Sequence, residues 1–245
     1  MHFPDRVYGI ENEFGAVCIS SDGRIYGIND LTSDGTPRDL FINLKVVPHS
    51  IMAYAPGIAR IWHSNGSCSY IDSGRHPEHA TSECRSIRDV VRFNKAGERL
   101  AASIFEYPLR GNFRILLFKN NVGINEAGNI QGEFGCHENY LTYGTNALIG
   151  DTASAFIPFL VTRQILDGAG MWLSKDSFFF SPRALSMRRA FSSGTTADRG
   201  IINSKGLSDD GYLKRLHLIC GDSNILEFSI YLKMGATSLV LALIE

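Results

Sequence analysis

The sequence predicts an α+β fold: an antiparallel sheet with an open, polar, concave face, backed on its other side by helices. Three observations lead there. Between Arg6 and Gly15, Tyr8, Ile10, Asn12 and Phe14 alternate with Gly9, Glu11, Glu13 and Gly15, so an extended chain carries mainly apolar bulk on one face and two carboxylates on the other. Cys136 to Tyr143 reads as a second strand of this kind, with His137 and Asn139 sharing a face. Between them, Ile87, Val90, Val91, Leu100 and Ile104 recur at helical spacing among charges, which predicts an amphipathic helix over 85–107 with Gly97 as its weak point.

The first strand, Arg6 to Gly15, has small glycine neighbours that leave room for a ligand beside Glu11 and Glu13; a solvent-exposed strand is the plain alternative. Residues 21–60 are rich in Asp, Gly, Pro, Ser and Thr and read as a long loop with one short helix or strand near Leu40–Val47. Ile58 to His63 starts the next strand, and Asn65-Gly66 is a hairpin signal feeding into Tyr70–Asp72. Tyr70 and Asp72 share a strand face, and Gly74 and Pro77 favour a bend that folds Glu78 back beside Asp72. Phe113–Phe118 reads as a buried strand followed by a Gly/Asn-rich turn. Asp151 or Thr152 caps a helix running to about Leu166 and ended by Gly168 and Gly170. Ser177–Phe191 has no clear period, Leu213–Cys220 is a strand, and Asn224–Glu245 is a last helix.

Composition narrows the function. The chain has 245 residues and a formal net charge of -1, which gives no bulk attraction to nucleic acid or an anionic membrane, so neither is expected as a partner. Five widely spaced cysteines without a C-x-x-C pair fit reduced thiols in a cytoplasmic protein. Asp5, Arg6 and Glu11 interrupt any signal peptide, and the apolar run Thr237–Ile244 is too short to span a bilayer. That run ends without a cap, which suggests a fragment of a longer chain or a partner covering that end.

Several chemistries drop out. Gly123 to Gly128 has the glycine spacing of a phosphate loop, but Asn129 and Ile130 stand where Lys and Ser or Thr are needed. No G-x-S-x-G elbow is present, and Cys68, His76, His79 and Cys84 lack a zinc-finger spacing. Oxygen-rich Mg²⁺ chemistry fits better: Glu11, Glu13 and Glu78 supply carboxylates from separate segments, and His137 stands by to support them. Arg199 and Arg215 would neutralise nucleotide phosphates, leaving Asp72 as a base or nucleophile near the metal. For His137 and the two arginines, a packed histidine and solvated surface charges are the plain alternative.

At these residues the sequence resembles a known family. Gly9-Ile-Glu-Asn-Glu-Phe-Gly15, Asp72-Ser-Gly-Arg-His-Pro-Glu78 and Ala80-Thr-Ser-Glu-Cys84 are similar to motifs of the Pup ligase and depupylase family, whose catalytic core is glutamine-synthetase-like. Phe118-Lys-Asn-Asn121, Gly135-Cys-His-Glu-Asn-Tyr-Leu141, Pro158-Phe-Leu-Val-Thr-Arg-Gln164 and the stretches ending at Asn203 and Asn224 follow in the family's order. The resemblance implies an ATP- and Mg²⁺-dependent ligase that joins the C-terminal Glu side chain of a small Pup-like modifier to a substrate lysine through a phosphorylated intermediate. It implies Glu11, Tyr70 and Glu78 as metal ligands, Asp72 as the catalytic base and Thr81 as a nucleotide contact. The spacing Asp72-x-Gly-x-His76 and Ala80-Thr81 are ligase-like, while the long 21–60 insert leans toward depupylase. Cys68 replaces a family Arg that contacts ATP, and Ser204 to Asp210 departs from the family's pattern. The family's C-terminal part is missing beyond Glu245, so residues 1–245 read as the N-terminal part of a single catalytic domain. A depupylase or a catalytically impaired Pup-binding homologue therefore stays open.

Overall fold

A computed structural model describes residues 5–27, 50–55, 58–72, 76–105, 114–119, 121–124, 130–143, 151–205 and 213–245. The chain opens with β1 (Tyr8–Glu13), β2 (Gly15–Ile19), β3 (Ile25–Gly27), β4 (Ser50–Ala55), β5 (Ile58–His63), β6 (Cys68–Ile71) and β7 (Pro77–Ala80). Helix α1 (Ile87–Phe105) follows, then β8 (Arg114–Phe118), β9 (Val122–Ile124), β10 (Ile130–Glu133) and β11 (Cys136–Tyr143). Helices α2 (Asp151–Thr162) and α3 (Gln164–Asp167) lead to β12 (Met171–Ser174), β13 (Ser177–Phe179), β14 (Arg189–Ser192), β15 (Gly200–Asn203) and β16 (Leu213–Leu218), and α4 (Glu227–Ile244) ends the chain.

Nine strands form the main sheet in the order β14-β15-β16-β11-β1-β7-β6-β5-β4. All its pairings are antiparallel except β14 with β15, so the expected antiparallel sheet is mixed at one edge. The α+β class is as the alternating strand faces predicted. β2, β3 and β8 form a separate small sheet, and β9–β10 and β12–β13 are short hairpins.

The sheet works because β1 and β11 alternate. Ile10, Cys136, Tyr140, Leu216, Leu218 and Ile202 point to one side, where they pack with Val90 of α1, Phe156 and Leu160 of α2 and Ile230, Met234 and Leu241 of α4. A second cluster, Phe14, Ile61, Ile71, Ala101 and Ile104, joins the far strands to the end of α1. Burying each Val, Leu, Ile, Phe or Met among them contributes roughly 1.5–3 kcal/mol. Gly97 is where α1 meets the sheet, since a Cβ there would overlap the His79 imidazole. The helix's weak point in sequence is thus its point of closest approach.

Some expectations need correction. The 21–60 stretch is not all loop, because β3 and β4 lie in it; Leu40–Val47 falls outside the described residues. The predicted helix to Leu166 is interrupted at Arg163, whose guanidinium is drawn to Glu138 in the core at 2.5 Å. The last helix, α4, is long and apolar enough by length and composition to cross a membrane, whereas the shorter run within it is not. Its Ile230, Lys233, Met234, Thr237 and Leu241 are buried against the rest of the chain, as in a core helix.

Candidate active site

β1 lies between β11 and β7, which puts Glu11 opposite both His137 and Ala80 and Glu13 opposite Glu78. β6 continues the rows, with Tyr70 opposite Glu78 and Cys68 opposite Ala80, and β16 places His217 opposite Asn139. Directly paired residues project to the same side of a sheet. The face away from the helices therefore carries Glu11, Glu13, Glu78, Tyr70, His137, Asn139 and His217 together. The Asn65-Gly66 turn between β5 and β6, with Gly66 at φ +84, sets the register of one side of this face.

Asp72 follows β6 directly. Its Oδ1 accepts the His76 backbone N–H at 2.7 Å, and its own N–H donates to His76 O at 3.0 Å, so one side-chain and one backbone hydrogen bond tie Asp72 to His76. The His76 ring stands 3.8 Å from Asp72 and 3.6 Å from Glu13. Glu13 Oε2 also accepts the Gly135 N–H at 2.6 Å. Ligand atoms of Glu13, Glu78 and His137 lie within 4.8 Å of one another, as do those of Glu13, Asp72 and His76 and those of Glu11, His137 and His217. The structure thus gathers Glu11, Glu13, Tyr70, Asp72, Glu78 and His137, all the residues singled out for metal and catalysis, into one cluster.

The electrostatics of the cluster are uneven. Burial alone would raise Glu11, but hydrogen bonding and charge from His137 and His217 hold its carboxyl well below the ordinary carboxylate range. The His137 contact is 3.3 Å, and His217 Nε2 stands 3.5 Å away, at the outer limit of hydrogen bonding. Glu13 is likewise raised by burial, yet His76, His137 and the Gly135 N–H bring it down to about 2. Glu78 goes the other way: burial, then the charges of Glu13 and Glu11, push it well above its ordinary value. Burial and then Glu78 raise the Tyr70 phenol too. Three carboxylates crowded this closely, one of them resisting ionisation, form a donor set suited to a hard divalent cation.

From the cluster a cavity of about 710 Å³ extends over the sheet, lined by Glu11, Tyr70, Thr81, Asn139 and Arg215 among others. This is within the size range of small-molecule sites. The Thr81 hydroxyl accepts the Ile10 N–H at 3.0 Å, and Arg215 bridges Glu11 at 3.0 Å and Asn139 at 2.6 Å. Arg199 is not in this wall; it pairs with Glu133 and donates from Nε to Thr195 O at 2.7 Å. Two members were missed in sequence. His217 stands two residues after Arg215 and so shares its strand face, a signal that alternation alone could have exposed. His76 comes within 3.6 Å of Glu13, a neighbour on another strand that only the pairing of β1 with β7 reveals, while the bend expected at Gly74 lies outside the described residues.

The sequence profile of the Pup-ligase protein family matches residues 6–245. The chain is 39% identical to the Pup–protein ligase of Xylanimonas cellulosilytica and 38% identical to that of Acidimicrobium ferrooxidans, in each case over 98% of this chain and 51% of the relative. It spans about half the length of the curated relatives it matches. A crystal structure of the complex between prokaryotic ubiquitin-like protein Pup and its ligase PafA matches with a TM-score of 0.68 at 31% identity, over 98% of this chain and 46% of that one. A structure of the Pup ligase PafA in complex with ADP matches with a TM-score of 0.56 at 36% identity, over 76% of this chain and 42% of that one.

Proposed function

The chain belongs to the Pup ligase family, and from that premise we propose that it carries the catalytic face of an ATP- and Mg²⁺-dependent ligase acting on a Pup-like modifier and protein lysines. The observation that supports this most is the convergence of Glu11, Glu13, Glu78, Tyr70 and Asp72 at one end of a cavity of nucleotide size. We read residues 1–245 as the N-terminal part of one larger catalytic domain, in line with the half-length match to its relatives. Five buried, unpaired cysteines are consistent with a cytoplasmic setting.

Glu11, Glu13, Tyr70 and Glu78, with His137 beside them, would hold Mg²⁺, which when bound offsets the charge that develops on phosphoryl transfer. Arg215 and Thr81 line the same cavity and would contact the nucleotide; Arg199, turned toward Glu133, would need to leave that pairing to join them. In the proposed reaction the γ-phosphoryl group passes from ATP to the modifier's carboxylate, giving an acyl phosphate and ADP. A lysine nitrogen then attacks the carbonyl carbon, the new C–N bond displaces phosphate, and the lysine's proton passes to Asp72. A lysine ammonium is not a nucleophile until a nearby base takes that proton. The hydrogen bonds to His76 hold Asp72 beside the cluster for this task.

Incubation with ATP, Mg²⁺, a Glu-ended Pup and a lysine protein should give an isopeptide-linked conjugate, read by mass spectrometry. Asp72→Asn keeps the oxygen that accepts the His76 N–H and should lower the rate by about 10²-fold or more without changing the melting temperature. Normal turnover in that variant would remove the assignment. Cleavage of a preformed conjugate without its formation would show a depupylase instead. The Asp72-x-Gly-x-His76 spacing and the relatives' names favour the ligase.

A further inference from the structure

β5 lies three strands away from β1, and its residues extend the rows of the site: Arg60 stands opposite Tyr70, which stands opposite Glu78, which stands opposite Glu13. The next row runs Trp62, Cys68, Ala80, Glu11. With strands about 4.8 Å apart, the Arg60 backbone is roughly 14 Å from that of Glu13. The side chain closes part of this gap. Its guanidinium lies over the Tyr70 ring, 4.8 Å from the centroid, so it leans from β5 toward the acidic cluster. Arg60, Trp62, Cys68, Tyr70 and Glu11 all line the one cavity.

Arg60 differs from the other cation of this wall. Arg215 is already paired with Glu11, whereas among the described residues no ion pair engages Arg60. A guanidinium braced by an aromatic face, lining a cavity and facing a group of carboxylates suited to a cation, is placed for an anion held between the two. Cys68, opposite Trp62, is small and buried, which leaves the cavity floor open beneath the arginine. Trp62 is 44% exposed beside it and presents a wide apolar surface to the same space. An elongated ligand with a polyanionic end and a flat aromatic end matches this wall.

Resting on the nucleotide reading above, we propose that Arg60 binds the phosphates of a nucleoside di- or triphosphate in this chain and that Trp62 flanks its base. The assignment goes beyond Arg215 and Thr81, and it makes β5 part of the binding site rather than an outlying strand. A charged, planar donor pair on a phosphate is also harder to replace by Lys than a point charge would be.

Trp172 is the only other tryptophan, so Trp172→Phe leaves Trp62 as the single indole reporter. Titrating that protein with ADP and Mg²⁺ should change the Trp62 emission. Arg60→Ala should weaken ADP binding roughly tenfold or more while adenosine, which lacks phosphate, binds as before. Arg60→Lys should recover part of the loss. Adding Cys68→Arg to Arg60→Ala returns a guanidinium to the adjoining row and should recover most of it. Unchanged ADP affinity in Arg60→Ala overturns the proposal, as does equal loss of ADP and adenosine, or a loss that neither Lys nor Cys68→Arg repairs. If the parent protein binds no ADP at all, the nucleotide reading itself fails, a result distinct from each of these.

Discussion

Replacing Glu78 with Gln should make the cation-free protein more stable and the cation-bound protein less so. Glu78 is only 4% exposed, and a carboxyl oxygen lies within 4.8 Å of one on Glu13. Two unit charges at that separation repel by roughly 3.5 kcal/mol at an effective dielectric near 20, an upper limit because protonation relieves it. Burial and these neighbours raise Glu78 above its ordinary value of 4.5. A carboxyl raised on folding contributes no penalty below its unfolded value and a growing one as pH climbs from there toward the folded value. This group therefore destabilises the cation-free fold more at pH 8 than at pH 5. Gln keeps the shape without the charge, and the expected net gain at pH 8 is about 1–2 kcal/mol, or roughly 3–6 °C in Tm for a chain of this size. Mg²⁺ at about 100 times its Kd should stabilise the parent by about 2.7 kcal/mol, roughly 5–10 °C, and Glu78→Gln by little. Scanning calorimetry with MgCl₂ or EDTA at both pH values reads all four quantities. A variant that melts below the parent without Mg²⁺, or keeps the full Mg²⁺ shift, refutes the reasoning.

Two predictions concern the scaffold. Gly97→Ala adds a Cβ that overlaps the His79 ring; overpacking of about 1–3 kcal/mol should outweigh the helix-propensity gain of about 1 kcal/mol, lowering the urea midpoint. Unchanged stability would mean that α1 can move off the sheet at little cost. Arg163→Met strands the fully buried Glu138 and should cost about 3–5 kcal/mol in urea unfolding, most of it regained by adding Glu138→Gln. A double variant as unstable as the single one would show that the ion pair is not the source.

Elements whose two faces differ in chemistry were legible from the sequence. Glu11 and Glu13 against Ile10 identify β1, whereas β11 carries the run His137-Glu138-Asn139, so its alternation shows that His137 and Asn139 share a face but not that Glu138 turns into the core. The strands between 171 and 203 were not. Trp172 and Phe178 are largely exposed in a two-stranded hairpin, so no apolar face marks it. β14 is the sheet's edge strand, where half the ladder is missing, and β15 beside it is only four residues long, so pattern is weak in both. β4 was hidden by the turn-rich residues around it. The site was legible as residue types and not as an arrangement. Alternation shows that Tyr70 and Asp72 share a face, but only pairing shows Glu13 landing opposite Glu78, and a slip of one residue would turn either carboxylate into the core.

That risk of slippage gives a role to the polar layer behind the sheet. On β11 His137 faces the acidic cluster, and the next residue, Glu138, points into the core. There its carboxylate meets Arg163 at 2.5 Å and accepts the Tyr140 hydroxyl at 2.6 Å. Lys233, fully buried on α4, donates to Asp222 O at 2.5 Å, and its charge acts on Glu138. A strand shifted by one residue would expel Glu138 from these partners and leave the buried Arg163 with only the longer contact to Asp167, at 3.9 Å. The shift would also carry His137 off the site. Because β1 pairs with residues 136–140 of this strand, with Ile10 opposite Glu138 and Glu11 opposite His137, the register that the core charges enforce on β11 is passed to the two carboxylates of β1. The buried ion pair thus acts less as a source of stability than as a key for register. That is why its double replacement should restore stability more fully than it restores Mg²⁺ binding.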